Sequence, residues 1–522
     1  MVPSEQEGFQ PMPDIEQEYK KQIKELEQQI RLLKEQVGFL TRKLYGTKSE
    51  KTSALEIEGQ MSLFNEPESC ADPNAHEPDL AEVEKHLRKR KHTGQREELI
   101  KDIPSSKVLH TIDESEQICE RCGSAMVKVG EEFVRTEVQF IPASLKVVDH
   151  YRETYECRAC RKNGTPYMEK SPVPCPPVMH SLASASTIAW LIHQKFELGI
   201  PLYRQEKEWE ALGLSLSRAT MSNWLLCVYR DWLSHVVSHL REELLKQGHL
   251  HIDETHVQVL KEPARKNTSD SYMWVYCSIR DQARPVRYFE YQPGRGGKYP
   301  EAFLKGYTGY IHTDAYSGYN GVKGVTRCLC YTHLRRAFVD ALPKDIHDPK
   351  VSKPAEAVLR LNKLFEIEKE LEGLPPEQKK KERLGLEKPL LEAFWSWAEI
   401  NAVSELPKSK LHTAFHYALN NRQEFFNYLE DGNCSISNSL AENCIRPFVI
   451  GRKNWLFAGS PKGAVASAGI YTLVETAKAN GLDAMKYIKY ILSDMPGSTF
   501  LENPEYLDDY LPWDPMVQER CR

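Results

Sequence analysis

Residues 438–459 read NSLAENCIRPFVIGRKNWLFAG. Ser439-x-x-Glu442 has the form of a capping box, which predicts a helix carrying Glu442 in its first turn. Pro447 has no backbone donor, so the helix is expected to end or kink there. Arg446, Arg452 and Lys453 follow the acid. A carboxylate at a helix start with cations one turn on suits a metal ion beside a phosphate. A capped helix with a solvated basic face would show the same pattern. Acids elsewhere in the chain weigh between the two.

Two such acids lie where the periodicity is that of strands. Residues 250–260 (LHIDETHVQVL), 272–279 (YMWVYCSI) and 286–291 are read as three consecutive strands joined by polar turns. A short helix at 299–305, a strand running into Asp314, a strand at 325–330 and a helix beginning near His333 follow. That order is the one found in a ribonuclease-H-like α/β core. Asp253 then lies on the first strand and Asp314 at the end of the fourth. Glu254 faces away from Asp253, because successive strand residues point to opposite sides. With Glu442 the two aspartates are expected to form a three-carboxylate cluster. Hard carboxylate oxygens suit Mg2+ or Mn2+, and two such ions can activate an attacking oxygen and stabilise a leaving one. Between Asp314 and Glu442 lie 127 residues. Within them 346–432 reads as a helical insertion, with Phe394, Trp395 and Trp397 expected in its core rather than stacked on a base. Residues 463–479 and 484–492 are expected as helices that close the sheet's core.

Further toward the N-terminus, Ile23, Ile30, Val37 and Leu44 recur every seven residues, with Leu26, Leu33 and Leu40 between them. This predicts a parallel two-stranded coiled coil, or else one amphipathic helix packed on its own protein. Residues 51–100 read as a linker arm, first acidic and broken by prolines, then basic at Arg88, Lys89, Arg90 and Lys91. The basic run can neutralise DNA phosphates or balance the acids before it. Cys119-x-x-Cys122 and Cys157-x-x-Cys160, with 34 residues between the pairs, can present four thiolates to Zn2+ in a closed structural site. The alternating stretch between them suggests a zinc-ribbon-like module over 101–170. Residues 178–247 are helical in pattern. Within them 214–224 has a turn and a capped second helix that could offer Arg218, Ser222 and Asn223 to a major groove. Helix pairs of this kind also occur in any α-rich domain.

At 522 residues the chain is too long for one core, and 41% hydrophobic with 27% charged residues is an ordinary globular mix. The net charge of −5 means that any nucleic-acid footprint is local. Thirteen cysteines, odd in number and mostly scattered, do not suit a secreted disulfide scaffold. No apolar run approaches the ~18 residues of a membrane span, and the first residues have no signal-peptide character. The expectation is a cytoplasmic protein without a membrane partner.

HIDET, HTDAYSGY, CYTHLRRAF and SNSLAENCIRPFVIGRKNWLFAGS resemble the motifs of the insertion-sequence 66 (transposase C) family of bacterial DDE transposases. LYGTKSEK, the paired CxxC module and the closing YLDDYLPWD also resemble segments of that family, so the likeness covers nearly the whole chain. The resemblance implies a DNA transposase with Asp253, Asp314 and Glu442 as the catalytic triad holding two Mg2+ (or Mn2+) ions. It makes Arg446, Arg452 and Lys453 contacts to DNA phosphates, and it implies helper proteins encoded by the same element. Cys330 and His333 match family positions to which the residues alone assign no role. Water would cut at the element ends, and the freed 3′ hydroxyl would attack target DNA. The coiled coil would pair protomers into a homodimer or larger assembly.

The expected organisation is a multidomain α+β chain. It comprises an N-terminal coiled-coil helix (1–50), the arm (51–100), the zinc module (101–170) and a helical DNA-binding segment (178–247). The ribonuclease-H-like core follows in two parts (248–345 and 433–496) around the insertion (346–432), with a C-terminal tail (497–522). Two rivals differ in chemistry. A non-catalytic zinc-containing DNA-binding regulator has no need of three assembled acids, and a ribonuclease-H-like nuclease would cut without joining.

Overall fold

The computed structural model describes residues 173–280, 282–343 and 352–522, together with 145, 147, 148, 150, 151, 154–156 and 168–170. The predicted coiled coil, the arm with Arg88, Lys89, Arg90 and Lys91, and the cysteines Cys119, Cys122, Cys157 and Cys160 lie outside the described residues. Two short strands, β1 (Thr154–Glu156) and β2 (Met168–Lys170), pair antiparallel.

Among the described residues, four α-helices precede the main sheet. Helix α1 (Ala185–Ile192) starts at Ser184, whose hydroxyl accepts from the Thr187 N–H, and runs into a π-helical turn at His193–Glu197. Then come α2 (Leu202–Ala211), α3 (Arg218–Val228) and α4 (Ser234–Leu245). Between α2 and α3 the chain reverses at Gly213, whose φ of +90° favours a residue without Cβ. Ser217 then caps α3 through the Thr220 N–H. The expected helix pair is therefore present, and Arg218 and Asn223 are exposed on its second member.

The sheet begins with an antiparallel meander of β3 (His249–Val259), β4 (Asp270–Ser278) and β5 (Arg287–Gln292). A short helix α5 (Lys298–Phe303) leads to β6 (Gly309–Thr313), and β7 (Val325–Leu329) leads to α6 (Tyr331–Asp340). The strand order is β5-β4-β3-β6-β7, with β6 parallel to both β3 and β7. Trp274, Val275, Tyr276 and Cys277 are consecutive and all buried, so both faces of β4 are covered. At the sheet edge, β5 donates the Arg287 and Phe289 N–H groups to the hydroxyls of Thr476 and Thr472 at 3.0 and 2.8 Å. Both threonines lie on α12 (Pro461–Ala479), which thereby satisfies donors that an edge strand would otherwise leave open. The same helix also packs on the 229–233 turn, where Gly469 leaves room for Tyr229; a Cβ there would lie 2.1 Å from the Tyr229 ring.

The insertion consists of α7 (Lys353–Glu370), α8 (Pro376–Ala402), α9 (Lys410–Asn420) and α10 (Arg422–Phe426). Phe394 and Trp395 are buried in a second core with Phe338, Phe415 and Phe425, as core packing requires. Fully buried Arg383 pairs with Glu368 at 2.6 Å and donates to the carbonyls of Tyr428, Asp431 and Cys434. This fastens the insertion to the segment that returns to the sheet.

That segment enters α11 (Ser439–Trp455), followed by β8 (Phe457–Ala458), α12, α13 (Ala484–Asp494) and α14 (Pro515–Cys521). One local expectation is corrected here, and at Pro447 one of the two expected outcomes, an end or a kink, is ruled out. The N-cap is Asn438 rather than Ser439, whose hydroxyl lies 2.9 Å from that of Ser437, so the capping box does not form. Pro447 does not end the helix, which continues through it to Trp455. The proline leaves the Asn443 carbonyl without its i+4 donor, a cost of about 3 kcal/mol. Burial of Ala441, Ile445, Phe448 and Val449 along one face offsets that cost.

Candidate active site

Strand register brings the two aspartates together. In the parallel pair β3–β6, Leu250 lies opposite Ile311 and His251 opposite His312. Two residues beyond that last pair, Asp253 and Asp314 stand at matching positions where the strands part. On the same edge β8 joins β3 only at Gln258 and Val259. Residues 252–257 thus have a strand partner on the β4 side alone, and Asp253 sits at the resulting gap.

Glu442 comes from the first turn of α11, as the sequence predicts, and α11 packs on β3 and β4. Its charge and that of Asp314 both act on Asp253. Burial first, then the neighbouring Glu254 carboxylate, then Glu442 and Asp314 push the Asp253 carboxyl up to about 8. This happens although Asp253 Oδ1 accepts the Glu254 N–H at 2.9 Å. Glu442 Oε1 is buried and makes no hydrogen bond, and it lies 3.4 Å from His333 Nε2. His333 is near both Glu442 and Cys330, and the three side chains could ligate one ion together. Burial alone would lower the His333 imidazole, but the neighbouring Cys330 side chain and the Glu442 carboxylate raise it to about 9.

Glu254 faces away from Asp253, as strand alternation requires, and meets Arg295 at 2.6 Å and the Tyr319 hydroxyl. Burial pushes this carboxyl upward. Arg295 also reaches toward Asp314, with Nη2 3.8 Å from Oδ2, and stacks over the Tyr316 ring at 3.9 Å. Asp314 is fixed from its own loop: Oδ1 accepts the Tyr316 N–H at 3.0 Å. Arg327 donates to the carbonyls of Asp314 and Tyr316. Arg295 and Arg327 were not legible as site residues; the only signal for Arg295 is its place in the glycine-rich GRGG of residues 294–297.

The other expected site residues fall in different surroundings. Arg446 is half-buried one turn beyond Glu442, and Lys453 is exposed near the end of α11. Arg452 donates to Thr255 Oγ1 at 3.1 Å and to the His256 carbonyl, which ties the end of α11 to β3. A second group of possible ligands, His312, Cys328 and Cys434, is fully buried. His312 Nδ1 faces the Leu250 carbonyl and its Nε2 accepts the Ser435 N–H at 2.9 Å, which leaves no imidazole lone pair for an ion. Among the described residues, no helix is long and apolar enough to cross a membrane.

Residues 180–466, more than half of the chain, match the family model described as the Transposase IS66 family. Residues 116–161, which include the four CxxC cysteines, match the zinc-finger binding domain of transposase IS66. Residues 32–108 match a model described as transposase C of IS166 homeodomain. Two full-length relatives come from Sinorhizobium fredii (strain NBRC 101917 / NGR234). The uncharacterized protein y4hP is 27% identical over 501 residues, covering 91% of this chain and 87% of the relative. The uncharacterized protein y4jD is 25% identical over 513 residues, covering 94% and 96%.

Proposed function

Because this chain belongs to the Transposase IS66 family, we propose that it binds the ends of an insertion sequence and catalyses metal-dependent DNA cleavage and strand transfer. Asp253, Asp314 and Glu442 are the DDE residues of this reading, held in a ribonuclease-H-like core. One observation carries it. Asp253 and Asp314 stand at matching positions where β3 and β6 part, and the charges of Glu442 and Asp314 both reach the Asp253 carboxyl, which burial and Glu254 chiefly raise to about 8. The strand order, with β3 between an antiparallel meander and two parallel strands, supports the ribonuclease-H-like assignment.

The donors fit a hard divalent ion. Glu442 Oε1 is buried without a hydrogen bond, and Asp253 carries a carboxyl whose ionised form the protein alone does not stabilise. Mg2+ or Mn2+ held by Asp253, Asp314 and Glu442, as a pair of ions, would supply Lewis-acid stabilisation of the attacking and leaving oxygens in phosphoryl transfer. The chain's own groups set the geometry around that chemistry. The Asx-type bond from Tyr316 and the two carbonyl contacts from Arg327 hold the Asp314 loop rigid. Arg295, stacked on Tyr316 and partly exposed, offers guanidinium donors to a DNA phosphate at the rim. Arg446, Arg452 and Lys453 are further candidate phosphate contacts along α11, with Arg452 also bonded to β3.

In the same reading Cys119, Cys122, Cys157 and Cys160 hold a structural Zn2+ in the zinc-finger domain. The basic arm at Arg88, Lys89, Arg90 and Lys91, with Arg218 and Asn223 of α3, helps bind the ends. The protein acts as a homodimer or larger assembly in the cytoplasm, with helper proteins of the same element. A strand-transfer assay with element-end DNA and Mg2+ tests the proposal. Joined products from the wild type, lost in Asp253→Ala, Asp314→Ala and Glu442→Ala while end binding persists, are expected. Cutting without joining would point to a nuclease. Binding without either, even with helper proteins added, would point to a regulator.

A further inference from the structure

Asn438 occupies the N-cap of α11, yet its side chain makes no capping bond to that helix. It is 1% exposed, and both ends of its amide are engaged on β3. Nδ2 donates to the Ile252 carbonyl at 2.8 Å, and Oδ1 accepts from His251 Nδ1 at 2.9 Å. The Asn438 N–H donates to Cys330 Sγ at 3.1 Å, and its carbonyl accepts from the N–H groups of Ala441 and Glu442 at 3.1 and 3.3 Å. Cys330 is itself 1% exposed and donates its own N–H to the Thr313 carbonyl at 3.2 Å.

These bonds share one destination. Ile252 precedes Asp253, Thr313 precedes Asp314, and the third bond ends on Glu442 itself. We propose that Asn438, acting with Cys330, is the positioning residue that sets the mutual spacing of the three carboxylates. It holds the backbone immediately before each aspartate against the start of the helix that carries the glutamate.

The chemistry at position 438 is specific. A carboxamide offers a donor and an acceptor on separate atoms at one reach, whereas an ionised aspartate only accepts and the shorter serine has a single oxygen that cannot span both partners. His251 is buried, stacked on His312 with ring centroids 4.4 Å apart, so its Nδ1–H would otherwise be left without an acceptor. Cys330 provides an acceptor at the point where the Asp314 strand gives way to α6. Together they span three chain segments that the sheet's own ladder does not join beyond His251 and His312.

This inference rests on reading the three acids as a cation site, so its test measures cation binding as well as strand transfer. Mn2+ affinity of the full chain is read by electron paramagnetic resonance, for the wild type, Asp253→Ala, Asn438→Ser, Cys330→Ala and Cys330→Ser. Serine is as good an N-cap as asparagine, so Asn438→Ser keeps the helix start and removes only the two amide bonds. The expected result is a fall in Mn2+ affinity of about tenfold or more in Asn438→Ser and Cys330→Ala. Strand transfer at saturating Mn2+ should fall on the order of 100-fold, the cost of an ångström-scale misplacement. Cys330→Ser, which keeps an acceptor, should recover most of both. Wild-type Mn2+ affinity in Asn438→Ser, with or without a lower melting temperature, would overturn the inference, since it leaves that residue a structural role only. If Asp253→Ala binds Mn2+ as the wild type does, the cation site itself is wrong, and the positioning role falls with it. If Mn2+ binding follows the expected pattern while no variant or wild type joins DNA, even with helper proteins added, the positioning role stands and the transposase reading fails.

Discussion

Replacing Asp253 by asparagine should make the cation-free protein more stable, by an amount that depends on pH. The carboxyl is held at about 8 against an ordinary 3.8, first by burial and then by Glu254, Glu442 and Asp314. A folded-state value above the unfolded one means that the group's contribution is fully present below pH 4 and is lost as pH rises through about 8. Each pH unit in that window is worth about 1.4 kcal/mol, so by pH 7 the protonated aspartate costs up to about 4 kcal/mol relative to an unshifted one. The neutral carboxamide of Asp253→Asn carries no such cost. Water reaching the half-buried carboxyl reduces the figure, and a difference of several degrees in melting temperature at pH 8.5 is expected, shrinking toward pH 5. The assay is thermal unfolding of the full chain in chelated buffer at pH 5, 7 and 8.5, repeated with Mg2+. Added Mg2+ should raise the wild type at pH 8.5 and leave Asp253→Asn nearly unmoved, because a ligand stabilises only the form that binds it. A gap that stays constant with pH, or an equal Mg2+ shift in both proteins, would refute the reasoning.

Arg295→Ala leaves Glu254 buried without its cation, with 2% of its side chain exposed; a loss of about 3 kcal/mol in chemical denaturation is expected, together with weaker DNA binding at low salt. Trp395→Ala empties the centre of the insertion's core and should cost about 3–5 kcal/mol in the same measurement. Leu456 ends α11 with φ +66° and ψ −51° while 64% exposed, so Leu456→Gly should relieve strain and raise stability by about 1 kcal/mol. Metal analysis of the purified chain should find about one zinc per protomer, and Cys119→Ser or Cys157→Ser should lose it.

Much of the core was legible because its signals are local. Alternation around Asp253 and in YMWVYCSI marks strands whatever they pack against, and the order of elements through α6 follows from it. Phe394 and Trp395 are buried as their size suggests. The failures have a common cause. The capping box is a rule about an isolated helix, whereas α11 is fixed by what lies outside it. Asn438 holds the cap position while its side chain bonds β3 instead of the helix, and the apolar face of α11 carries the helix through the proline. Arg295 and Arg327 were not visible for the same reason: each acts on residues far away in sequence or on carbonyls, which leave no periodic trace. The bond of Arg452 to β3 is an equally long-range contact that the sequence does not mark.

The most direct test of the central claim is to let a redox-active ion report its own position. With Fe2+ in place of Mg2+, and ascorbate with peroxide, hydroxyl radicals cut the backbone beside the bound ion. Cuts clustered near residues 253, 314 and 442, suppressed by excess Mg2+ and absent from Asp253→Ala, are what three converging carboxylates predict. Cuts scattered over the chain, or clustered away from these positions and insensitive to Mg2+, would contradict a shared cation site and the strand-transfer chemistry proposed on it.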